Sequence, residues 1–115
     1  MSTPPPDSSK PLDESEFHAL ADATFAQLED LLDDADIDFE STGGILTLEM
    51  NDGSKLILNR QPPVREIWLA AKSGGYHFRR EGDRWFSSRD QTSLGQTLRR
   101  CVAEQGGPDL GPVEP

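Results

Sequence analysis

The sequence predicts an α+β fold, a two-layer α-β sandwich with two helices packed on one face of an antiparallel sheet of about six strands. Three observations lead there. Apolar residues recur at helical spacing from Phe17 to Leu32, short alternating runs broken by tight turns fill Ile37 to Phe86, and the helical period returns from Leu94 to Val102. Two apolar helix stripes need a surface to cover, and one sheet face supplies it while the other stays in solvent.

The first helix opens at Asp13. Asp13 with Glu16 three residues on resembles a capping box, with Asp in place of Ser or Thr. Phe17, Leu20, Ala21, Thr24, Leu28, Leu31 and Leu32 then mark one apolar stripe to about Asp34. Ile37 to Glu40 alternates apolar and acidic residues, Gly43-Gly44 breaks the run, and Ile45 to Met50 follows. Asn51-Asp52-Gly53 is a hairpin turn signal before Lys55 to Asn59. Gln61-Pro62-Pro63 cannot continue a central strand and is expected as a loop. Glu66 to Ala70, Tyr76 to Arg79 and Arg84 to Phe86 complete an antiparallel meander, with Gly74-Gly75 and Glu81-Gly82-Asp83 between them. Leu94, Leu98, Cys101 and Val102 form the second helical stripe, begun through Asp90 to Ser93 and ended by Gly106-Gly107. Gly95 weakens the first turn of that helix by about 1 kcal/mol against Ala.

The 115 residues fit one domain at about 12–105. Residues 1–11, rich in Pro and Ser, are expected to be a disordered tail, and residues 106–115, with three glycines and three prolines, a flexible one. A single cysteine, Cys101, excludes an internal disulfide. No apolar run approaches the roughly 20 residues of a membrane span. The first eleven residues have neither an apolar signal core nor an Arg-rich amphipathic character. The expectation is a cytoplasmic bacterial protein that binds neither membrane nor nucleic acid, since a net charge of -10 opposes phosphate contacts. Such a charge suits cations or a basic protein partner.

The charge is uneven. Between Pro11 and Ser54 stand thirteen acidic residues and no Lys or Arg, while Lys55 to Arg100 holds ten basic residues against four acidic ones. The densest stretch is Glu29 to Glu40, with seven carboxylates in twelve residues. Glu29 with Asp33, and Asp30 with Asp34, are like-charge i,i+4 pairs that repel, and they oppose the macrodipole at the helix end. Asp36, Asp38 and Glu40 alternate and are expected to share one strand face. Helix end and strand would form one acidic ridge, with local stability given up as it is at functional sites. An acidic run also serves as a solvated, solubilising face. The functional alternative is a set of hard oxygen ligands binding cations weakly and with little selectivity. Asp34-x-Asp36-x-Asp38-x-Glu40 resembles the start of a calcium loop but carries Phe39 at the glycine position and Ile45 at the bidentate-glutamate position.

Other chemistry is sparse. Cys101 lies on an apolar stripe, as a buried thiol would, and His18 sits near Glu14 and Asp22 as a possible extra ligand or a plain surface histidine. No zinc spacing, phosphate loop or nucleophile–base pair is visible. With Ile67 and Leu69 facing the core, Trp68 falls on the solvent face, near Asn59, Arg60 and Gln61, where it would anchor a protein partner. A parity shifted by one would instead bury it.

Gly43-Gly44-Ile45-Leu46-Thr47-Leu48, Asn59-Arg60-Gln61-x-Pro63, Ile67-Trp68-Leu69-Ala70 and Gly74-Gly75-Tyr76-His77-Phe78 together resemble the frataxin family in its bacterial form. Phe17-His18-x-Leu20-Ala21-Asp22 and the Asp33-Asp34 helix end agree, so the resemblance covers about residues 14 to 105. It implies a protein that binds iron, ferrous or ferric, weakly on the acidic ridge and acts in iron–sulfur cluster assembly, as iron donor or as regulator of the cysteine desulfurase–scaffold complex, without catalysing a reaction. By position the implied metal ligands are Asp22, Glu29, Asp30, Asp33, Asp34, Asp36, Asp38 and Glu40, and the implied partner-binding residues are Asn59, Arg60, Gln61 and Trp68. The implied partners are the cysteine desulfurase and the scaffold protein, bound by a monomer able to form oligomers with iron. A ferroxidase that stores iron is the alternative within the family, although buried Glu-x-x-His di-iron ligands are absent from the sequence. An acidic nucleic-acid mimic is the alternative outside it. Two departures stand out: Asp34-Ala35-Asp36 is a short link with fewer acidic residues than some bacterial members carry, and Asp90–Ser93 replaces a Gly-containing start of the second helix.

Overall fold

The computed structural model describes residues 12–113. The tail expected at 1–11 therefore lies outside the described residues, as do the last two residues of the 106–115 segment.

Helix α1 runs Glu14–Asp34 and is followed by seven strands, β1 Asp38–Thr42, β2 Ile45–Glu49, β3 Lys55–Gln61, β4 Glu66–Ala71, β5 Gly74–Glu81, β6 Arg84–Ser87 and β7 Thr92–Ser93, before helix α2 at Leu94–Glu104. The strands form one sheet in chain order, antiparallel throughout. This is the α-β sandwich the sequence predicts, with one more strand than expected. The additional strand is the two-residue β7, too short for an alternation signal.

Local chemistry explains the boundaries. The Asp13 carboxylate accepts the Glu16 N–H at 2.8 Å and caps α1. At the far end Ile37 N–H reaches the Leu32 carbonyl at 2.9 Å and Asp36 N–H the Asp33 carbonyl at 3.1 Å. These two bonds are a Schellman motif, with Asp36 in the left-handed position (φ 57°) that glycine usually takes. Asp36 is thus a turn residue and does not share the strand face of Asp38 and Glu40, contrary to the sequence expectation. Gln61 remains in β3, and Pro62–Val64 leaves the sheet as a short 3₁₀ turn closed by Arg65 in the left-handed region (φ 54°). Helix α2 starts on a reciprocal capping box of Ser93 and Gln96.

Leu46, Leu48, Leu56, Leu58, Ile67, Leu69 and Phe78 point to the helix layer and are fully buried with Phe17, Leu28 and Leu32 of α1 and Leu94, Leu98 and Val102 of α2. Trp85 joins them, its Nε1–H donating to Thr24 Oγ1 at 2.8 Å and its ring edge-on to Phe17. Cys101 is buried in the same core, and burial raises its thiol pKa. No described helix is long and apolar enough to cross a membrane.

The segment after α2 differs from the flexible tail expected there. From Gly106 to Val113 it turns back over α2, Val113 is buried against the core, Leu110 packs beside it, and Arg99 forms a two-pronged ion pair with Asp109 at 2.6 and 3.0 Å. Gly95 makes this possible: a Cβ there would stand 1.7 Å from the Val113 carbonyl oxygen.

Candidate functional site

Glu29, Asp30, Asp33 and Asp34 occupy the last turns of α1, Asp36 the turn beyond it, and Asp38 and Glu40 the outer face of the edge strand β1. All are exposed except the half-buried Glu29. The first hairpin adds a carboxylate that the sequence analysis missed: Glu49 lies directly across from Asp38. A two-residue turn at Gly43-Gly44 fixes that register, so Glu49 was reachable by counting back from Thr42 and Ile45.

Cations are distributed selectively among the acidic residues. Asp22 pairs with Arg60, Asp52 with Lys72 and Glu49 with Lys55. None of the seven carboxylates from Glu29 to Glu40 has an ion-pair partner among the described residues. Nor do any three His, Cys, Asp or Glu side chains among the described residues converge closely enough to hold a metal. The ridge is therefore a strip of uncompensated negative potential rather than a cage. Such a potential favours cations and basic surfaces in general, and an ion held by scattered carboxylates would keep most of its water.

The residues expected to bind a partner divide between the two sheet faces. Asn59 lies across from Trp68, and Gln61 across from Glu66, on the solvent face. Trp68 is half-buried there, stacked on His77 with centroids 4.2 Å apart and planes 9° from parallel, and its Nε1–H donates to Glu66 at 2.7 Å. Ile45 and Ile57 are exposed on the same face. Its centre is thus a nearly neutral apolar patch with one flat aromatic platform. Arg60 does not belong to this group. It alternates with Leu56 and Leu58 on the helix side, where its guanidinium covers the Phe25 ring and binds Asp22 at 2.7 Å. Asp22, expected as a metal ligand, thus has a cation of its own, which the carboxylates from Glu29 to Glu40 lack among the described residues.

This geometry matches known proteins. The Frataxin-like domain family covers residues 10–108 of the chain. The chain belongs to the frataxin family. Two curated frataxin-family relatives are each named "Iron-sulfur cluster assembly protein CyaY". That of Ralstonia pickettii is 45% identical over 87% of this chain and 94% of its own, and that of Pseudomonas fluorescens 48% identical over 82% and 89%. Among solved structures, frataxin from Psychromonas ingrahamii superposes with a TM-score of 0.78 at 30% identity, covering 86% of this chain and 98% of that one. A trimeric frataxin from the yeast Saccharomyces cerevisiae, complexed with ferrous iron, gives 0.60 at 31% identity over 84% and 88%.

Proposed function

We propose that the chain acts in iron–sulfur cluster assembly as an iron-binding adaptor and not as an enzyme. Its relatives carry that process in their names, and a solved member of the family is complexed with ferrous iron. The observation that carries the reading for this chain is the ridge itself: seven carboxylates from Glu29 to Glu40 with no cationic partner among the described residues, beside acidic residues that do have one.

Iron is cargo here. Carboxylates are hard ligands suited to ferrous and ferric ions, and an open strip of them binds weakly enough to release. The same strip docks on a basic patch of the cysteine desulfurase, while Trp68, Asn59 and Gln61 on the sheet face contact the scaffold protein. The ridge faces the cytoplasmic machinery of a bacterium, as a monomer that associates further when iron bridges ridges of two chains.

Charge reversal tests the reading. Asp33→Lys with Asp34→Lys is expected to weaken desulfurase binding at least tenfold at low salt, and the wild-type affinity is expected to fall as ionic strength rises. Equal affinities for the two proteins, measured by calorimetry across a salt series, would remove the ridge from the interface.

A further inference from the structure

Arg60 occupies an unusual place. Its side chain is 15% exposed, although it is the most polar group on the helix-facing side of β3. One terminal nitrogen donates to Asp22 at 2.7 Å and stands 3.4 Å from His18 Nδ1, the guanidinium carbon lies 4.9 Å from the Phe25 ring centroid, and Nε is buried with no partner among the described residues. A buried, unpartnered donor is unfavourable, so the placement calls for an explanation beyond packing.

We propose that Arg60 is a built-in counter-cation that keeps metal ions off Asp22 and so fixes where the iron-binding ridge begins. The proposal rests on the reading of Glu29–Glu40 as a metal-binding surface. Access is open: a cleft of about 370 Å³ lies between Asp22, Glu29, Ser41 and Gly44, with Arg60 in its wall. Shape therefore does not exclude an ion from Asp22; charge does. The guanidinium lies over the Phe25 ring and against Asp22, which keeps its positive charge at that spot. An ion that reaches Asp22 would meet this fixed positive charge while keeping most of its water. The pair at the other end of the acidic surface behaves differently. Lys55 and Glu49 are 3.5 Å apart and both about half exposed, so neither charge is fixed in place, whereas Asp22, itself 71% exposed, faces an Arg60 that is 15% exposed.

The test follows side-chain carboxyl ¹³C shifts of every Asp and Glu in the full chain during titration with Zn²⁺, a diamagnetic and redox-inert stand-in for ferrous iron. In the wild type, carboxyls from Glu29 to Glu40 are expected to move and Asp22 to stay still. In Arg60→Met, which keeps the volume and removes the charge, Asp22 is expected to join them with an extra ion bound per chain, and adding Asp22→Asn is expected to abolish that gain. Movement of Asp22 together with the ridge in the wild type overturns the proposal and leaves the ridge intact. A silent Asp22 in Arg60→Met does the same. Silence of the whole stretch 29–40 overturns the ridge reading, and the proposal with it. Should Arg60→Met fail to fold, Arg60→Gln replaces it, and the wild-type behaviour of Asp22 still decides.

Discussion

At the scale of residues, Asp36 shows most clearly that local stability has been given up. A non-glycine residue in the left-handed region costs about 1 kcal/mol, and here it sits among like charges. Asp36→Gly is therefore expected to stabilise the fold by about 1 kcal/mol in urea unfolding while weakening cation binding. The two tryptophans separate in the opposite sense. Trp85 is buried with its N–H bonded to Thr24, so Trp85→Ala is expected to cost about 3–5 kcal/mol. Trp68 is half-buried in a surface stack on His77, and Trp68→Ala should cost about 1 kcal/mol and act chiefly on scaffold binding. The outward face of Trp68 was legible in the alternation of Ile67 and Leu69. The inward turn of Arg60 was not, because an arginine among leucines contradicts the alternation rule, and Asp22, Phe25 and His18, distant in sequence, accommodate it. Asp36 was also misplaced, since nothing in its neighbours marks a left-handed residue where glycine is the usual choice.

At the scale of elements, both helices and the meander were legible because their periods are strong. Ser93-x-x-Gln96 is a readable capping signature, and it is the start that α2 uses. The packing of the final segment was not legible: three glycines and three prolines signal a loop, and a single Val113 carries no period. Gly95 decides the sign of a substitution there. Helix propensity alone predicts a gain of about 1 kcal/mol for Gly95→Ala. The Val113 carbonyl reverses it, and a loss of about 1–3 kcal/mol is expected from overpacking. In a chain ending at Gly107 the same substitution should become stabilising, which thermal unfolding of the two pairs would show. The same segment also gives a pH signature. The Arg99 guanidinium holds the Asp109 carboxyl at about 2, against an ordinary 3.8. A carboxyl whose pKa is lower in the folded state contributes its full stability above about pH 4 and loses it as pH falls towards its folded value. Asp109→Asn should therefore flatten the acid limb of the stability curve below about pH 4, with the Arg99 pair gone at all pH values.

At the scale of the molecule, the charge asymmetry of the sequence becomes a division of surfaces. The acidic half supplies α1, β1 and β2, and the basic half supplies β3 to α2. Within the acidic half the fold neutralises some carboxylates and leaves a continuous run bare, which composition alone does not reveal. Whether that bare run binds iron and a partner is decided by an NMR titration of the labelled chain. The protein is titrated anaerobically with ferrous iron and, separately, with the cysteine desulfurase of its own organism. Signals from Glu29 to Glu40, joined by Glu49, should shift or broaden with both ligands, and each ligand should displace the other. If neither ligand perturbs that stretch, the acidic surface only keeps the protein soluble and is not a binding site.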